Sequence, residues 1–171
     1  LLHASGDLRG NHDVVMSAVT QNWHAISSAA DHLRQDRAIM MRAVSQNGTA
    51  LRYAAASLQG DREVVLKAVA RNGDALSFAS SELRDDKEVV LAAVAQCADA
   101  LQYASGNLQR DREVVLKAVI RDWTAILQAS EDLCADREII MRAVMQSGRA
   151  LEHGSASLRN DREVVMKAVT Q

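Results

Sequence analysis

The apolar positions of this chain fall in clusters that return every 25 residues without a slip. Leucine marks Leu8, Leu33, Leu58, Leu83, Leu108, Leu133 and Leu158. Alanine holds a column from Ala18 through Ala43, Ala68, Ala93, Ala118 and Ala143 to Ala168, and valine follows each of them. A second alanine column runs from Ala25 to Ala150. A fixed period of this size marks a tandem array whose units stack, because one unit alone cannot bury its apolar face.

Within a unit the spacing is helical. Val64, Val65, Ala68 and Val69 lie at i, i+1, i+4 and i+5, one stripe of a 3.6-residue helix. Ala75, Leu76, Ala79 and Leu83 fit a second such stripe. No strand-like alternation is present, nor the asparagine ladder of leucine-rich repeats. The pattern predicts an all-α solenoid whose unit is helix, tight turn, helix, tight turn. Each helix is expected to have about ten residues and a length of roughly 15 Å. Glu63/Lys67, Glu113/Lys117, Glu138/Arg142 and Glu163/Lys167 are i,i+4 pairs in the favourable order, expected to brace the first helix.

Capping residues set the boundaries. Asn11, Asp36, Asp61, Asp86, Asp111, Asp136 and Asp161 precede the first helix of each unit, where a side-chain oxygen can accept from free first-turn N–H groups. Asn22, Asn47, Asn72, Cys97, Asp122 and Ser147 precede the second. Gly48, Gly73 and Gly148 come next and could suggest left-handed C-caps. However, Trp23, Ala98 and Trp123 share that column and resist positive φ, so the N-cap assignment is preferred. Residues 1–171 read as a single array of about seven units, cut in mid-unit at both ends. Neither terminal unit is more polar than the inner ones. The expectation is that the chain continues, or that a partner or second copy covers each end. A longer beat of 100 residues relates Trp23 to Trp123 and Met41-Arg42 to Met141-Arg142.

Composition narrows the partners. With 20 basic and 22 acidic residues, nothing points to nucleic acid or an anionic membrane. Apolar runs stay well under the roughly 20 residues of a membrane span, so a soluble protein is expected. Cys97 and Cys134 fall in turns at opposite ends of the helices, too far apart for a disulfide. Free thiols suit a reducing compartment, the cytoplasm or an organelle interior.

Candidate chemistry is sparse. None of His3, His12, His24, His32 and His153 lies in a metal-binding spacing, and the cysteines lack C-x-x-C. No nucleophile elbow or phosphate-binding glycine loop is found. The regular carboxylates serve as caps and surface pairs, whereas an active site is normally built once. The expectation is therefore no catalytic residue, no cofactor, no metal and no enzymatic activity. Arg37, Arg62, Lys87, Arg112, Arg137 and Arg162 would stack into a basic ladder beside Asp and Glu ladders, which are expected to neutralise it.

The stretches Asp61–Leu83 (DREVVLKAVARNGDALSFASSEL) and Asp111–Leu133 resemble a repeat family known only as a domain of unknown function. Its pattern reads D-R-E-V-V-L-x-A-V-x-x-x-G-x-A-L-x-x-A-S-x-x-L. The family is common in protists, often as long arrays, and the resemblance spans essentially the whole chain. It implies a helical-repeat fold and assigns no functional residue. Trp23, Trp123, Cys97 and Gly154 depart from the pattern.

The function expected is protein–protein interaction. Specificity would sit in variable columns of the second helix: His24, Thr49, Asp74, Asp99, Thr124 and Arg149, and Ser27, Arg52, Ser77, Gln102, Leu127 and Glu152. The most site-like feature is the column Tyr53, Phe78 and Tyr103, placed on the flank about 130° from the Ala/Leu face at 100° per residue. With Arg52 and Gln102 it forms the candidate partner-binding set. Two other readings stand beside this one: an accessory subunit of a large photosynthetic or respiratory assembly, and an RNA-binding helical repeat that uses the arginine ladder.

Overall fold

The computed structural model describes residues 1–171 and contains helices without strands. Each unit holds three elements rather than the expected two. In the unit beginning at Asp61 these are a leading helix, Arg62–Val69, a middle 3-10 helix, Gly73–Phe78, and a closing single turn, Ser81–Arg84. Its neighbours repeat the order with Arg37–Gln46, Gly48–Tyr53 and Ala56–Gln59, and with Lys87–Gln96, Ala98–Tyr103 and Leu108–Arg110. The array opens on the turn Gly6–Arg9 and ends on the leading helix Arg162–Val169.

The ten-residue second helix is thus corrected to a six-residue 3-10 helix and a separate turn. A backbone hydrogen bond accounts for the break. Ala79 is extended, with φ −72° and ψ 155°. This frees the next residue, Ser80, to donate its N–H to the Gln59 carbonyl of the preceding unit at 2.9 Å. Ala30 to Arg9, Ala55 to Arg34, Ser105 to Arg84, Ser130 to Gln109 and Ser155 to Cys134 repeat the link. In a continuous helix that N–H would be consumed internally. Breaking the helix trades one internal bond for one that ties each unit to the last.

The leading-helix caps lie where the sequence places them. Asn11, Asp36, Asp61, Asp86, Asp111, Asp136 and Asp161 each accept from the N–H three residues on, at 2.9–3.1 Å. At the middle helix, Asn22, Asn47, Asn72 and Asp122 accept from the N–H two residues on. Ser147, expected to do the same, makes no side-chain cap bond, and neither does Cys97. Cys97→Asn should supply the missing acceptor and stabilise the protein by about 0.5–1 kcal/mol. A urea midpoint that is unchanged or lower would refute the cap role of this column.

Packing follows the columns. Val64, Val65, Ala68, Val69, Ala75 and Leu76 are fully buried, and their equivalents join them in one core of 43 buried residues with no buried polar side chain. At the two ends the same columns are uncovered: Leu8 is 47% exposed against 5% for Leu33, and Val169 is 70% exposed against 0% for Val69. No helix is long and apolar enough to cross a membrane.

Candidate interaction surface

The basic ladder is bound between repeats. Arg37 donates to Asp61 at 2.8 Å and also to Glu63; Arg62 engages Asp86 and Glu88 in the same way. Lys87 bonds Asp111 and Glu113 at 2.9 and 2.8 Å. Arg112 engages Asp136 and Glu138, and Arg137 engages Asp161 and Glu163. His12 stands in the arginine column and reaches Asp36 at 3.5 Å. Asp61, Asp86, Asp111, Asp136 and Asp161 therefore each cap their own helix with one oxygen and receive the preceding unit's cation on the other. The expected Glu63/Lys67 type of pair does not form, because these glutamates turn to the arginine or lysine one unit back. Lys67, Lys117, Arg142 and Lys167 are left without a carboxylate partner.

The guanidinium of the preceding unit holds Asp61, Asp86 and Asp136 below the usual carboxylate range, against the opposing effect of partial burial. At Asp111 burial pushes upward, and the Lys87 ammonium with the Val114 and Glu113 N–H groups outweighs it. Carboxylates with depressed folded values contribute stability above the unfolded pKa of about 3.9 and lose it as pH falls through the folded ones. The urea midpoint should therefore hold near neutral pH and drop progressively below about pH 4. Arg112→Met should flatten part of that drop by restoring Asp136 towards its ordinary value. A midpoint indifferent to acid would contradict the ladder.

The candidate residues sit on the middle helices. Tyr53, Phe78 and Tyr103 are half-buried against the core, while Arg52 and Gln102 are exposed. A 3-10 helix turns 120° per residue, so the rings share a flank with Ala50, Ala75 and Ala100, not the position an α-helical wheel assigns. The Arg52 guanidinium carbon lies 5.4 Å from the Tyr53 ring centre and 6.0 Å from that of Phe78. It has no carboxylate partner, so its charge faces two rings and solvent. His24 meets Tyr53 edge-on at 6.0 Å and Trp23 at 5.1 Å. The structure thus joins Tyr53, Phe78 and Arg52 and adds Trp23 and His24. Tyr103 and Gln102 lie one unit further along. Of the variable columns, His24, Asp74, Asp99, Arg149, Arg52, Gln102, Leu127 and Glu152 are exposed, whereas Thr49, Thr124, Ser27 and Ser77 are half-buried.

The 100-residue beat returns in the hydrogen bonding at the two tryptophans. The main-chain N–H of Trp23 donates to Gln46 Oε1 at 3.2 Å, and Gln46 Nε2 donates to the Val19 carbonyl at 2.6 Å. Gln146 bridges Trp123 and Val119 in the same way. The main chain at each tryptophan is thus tied to a glutamine 23 residues later, in the next unit.

A methionine or leucine column lines the other helix face. Met16, Met41, Leu66, Leu91, Leu116 and Met141 are half-buried along the leading helices. They floor shallow recesses, about 550 Å³ at Met16 and Met41 and about 500 Å³ at Met41 and Leu66. Both cysteines are free, and burial pushes their thiols up, away from a reactive thiolate. No three His, Cys, Asp or Glu side chains gather in a metal-binding cluster.

Compared with known proteins, residues 11–59, 61–109, 86–134, 111–158 and 136–171 match the model of one family, described as Domain of unknown function (DUF4116). No curated protein and no solved structure matches the chain.

Proposed function

The chain belongs to this family of tandem helical repeats, and from that premise we propose that it is a non-catalytic scaffold that binds a polypeptide partner along its middle helices. One observation carries this reading: half-buried Tyr53 and Phe78 both lie beside the exposed, unpaired Arg52. Aromatic and arginine side chains concentrate binding energy at protein interfaces. Tyr103 and Gln102 extend the surface by one unit. The scaffold serves equally as a lone adaptor or as a subunit of a larger assembly. The RNA reading loses its main support, since five ladder cations are each bound to two carboxylates.

The test is affinity purification from native tissue with wild type, with Tyr53, Phe78 and Tyr103 all changed to serine, and with Lys67 and Lys117 changed to serine as a control for the other helix face. Serine already stands in the aromatic column at Ser28, so the fold has a precedent for it. The partner should come down with wild type and the lysine control and be lost with the triple serine variant. Full recovery by a folded triple variant would overturn the proposal.

A further inference from the structure

Beside Tyr103 lies a recess of about 220 Å³ lined by Ser81, Arg84, Tyr103, Ala104 and Ser105. It is smaller than the roughly 300 Å³ at which cofactor and drug-sized sites begin, and suits a single charged group. Arg84 shares a column with Arg9, Arg34, Gln59, Gln109, Cys134 and Arg159. Three members of that column donate back to carbonyls of the middle helix or the residue after it. Arg34 Nε donates to Ala29 O at 3.2 Å, Gln59 Nε2 to Leu51 O at 3.3 Å, and Gln109 Nε2 to Leu101 O at 3.2 Å. Arg84 makes no such bond, and its Nε is buried without any acceptor. Buried donors left unmet are rare and costly, above all on a charged group.

The nearby carboxylates are already engaged. Ser105 Oγ donates to Asp85, and Asp86 is held by Arg62. Glu82 is held below the usual carboxylate range by its own N–H, with the Ser80 and Ser81 hydroxyls adding to the effect. Arg34, by contrast, has Asp31 three residues earlier at 2.9 Å, where Arg84 has Ser81. Arg84 therefore lines the recess without any side-chain hydrogen bond or ion pair of its own, beside Ser81, Ser105 and the Tyr103 ring.

We infer that this recess is an oxyanion subsite, in which Arg84 receives a carboxylate or phosphoryl group presented by a bound polypeptide. Arginine offers a planar fork of donors that matches either group. The polypeptide origin of the oxyanion rests on the stripe reading above, because Tyr103 belongs to both. Oxyanion binding itself does not rest on it.

The experiment titrates the labelled full chain with inorganic phosphate and, separately, acetate, following the Arg Nε–H signals by NMR. The Arg84 signal should move saturably, while those of exposed Arg52 and Arg110 do not. Arg84→Gln restores the residue of Gln59 and Gln109, which closes the unit by donating to carbonyls, so thermal stability should be kept. Affinity should fall by about tenfold or more. Arg84→Lys keeps the charge without the fork and should fall between the two. Saturation by phosphate alone assigns a phosphoryl group; saturation by both admits a carboxylate. The inference is overturned if neither anion saturates, if every exposed arginine drifts alike, or if Arg84→Gln binds as wild type does. Such a failure leaves the triple serine result untouched, and the loss of that result leaves this titration valid.

Discussion

Leu76→Ala is expected to destabilise the protein by about 2–5 kcal/mol, the range for emptying a buried leucine site. Leu76 is fully buried at the middle of the array, between units that cover it on both sides. The stability of a solenoid is approximately the sum of unit terms and nearest-neighbour interface terms. The cavity should weaken both interfaces of its own unit and leave distant ones intact. Hydrogen exchange should quicken first in residues 36–110 and least near the chain ends. A urea midpoint equivalent to a loss under about 1 kcal/mol would mean that this position is not the packed centre assigned to it.

Gly48→Ala is expected to cost about 1–3 kcal/mol through overpacking. No glycine in the chain has a positive φ, so conformational freedom is not the reason for this residue. Its reason is proximity. A Cβ at Gly48 would stand 2.1 Å from the Ala68 carbonyl oxygen and 2.9 Å from its carbon. Gly73 and Gly148 meet Ala93 and Ala168 in the same way, at 2.5 and 2.2 Å. The obstacle is helix backbone, which cannot rotate aside as a side chain can, so the two units must part and loosen the core between them. Gly106 supplies the control, since nothing lies within 4 Å of its Cβ direction. Gly106→Ala should be neutral or stabilise by about 0.4–1 kcal/mol through the unfolded state. If Gly48→Ala matches Gly106→Ala in urea, close approach is not what glycine serves there.

Ala98, Trp23 and Trp123 occupy the same column as Gly48, so the stack can open where its neighbours are built for it. The bridging amides of Gln46 and Gln146 show how this is done at the two tryptophans. Glutamine alone is not sufficient: Gln96 follows Gly73 at the same interval and makes no such bridge.

The sequence by itself determined the period, the all-α class, the leading-helix boundaries and the core columns. These are local or strictly periodic properties. A cap is decided by one side chain and the N–H groups two or three residues on, and a buried stripe by spacing along one helix. Tertiary structure decided whatever depends on the distance between units. Over six residues, 3.6 and 3.0 residues per turn leave nearly the same apolar imprint. Ala75, Leu76 and Ala79 fit the first, and Gly73, Leu76 and Ala79 fit the second. The link from Ser80 N–H to the preceding unit's carbonyl selects the second. Glu63 could reach Lys67 on its own helix or Arg37 one unit back, and stacking brings Arg37 to both Asp61 and Glu63. The aromatic column was visible as letters. That Tyr53 and Phe78 share an arginine while Tyr103 adjoins a different, unsatisfied one required the units to be set side by side.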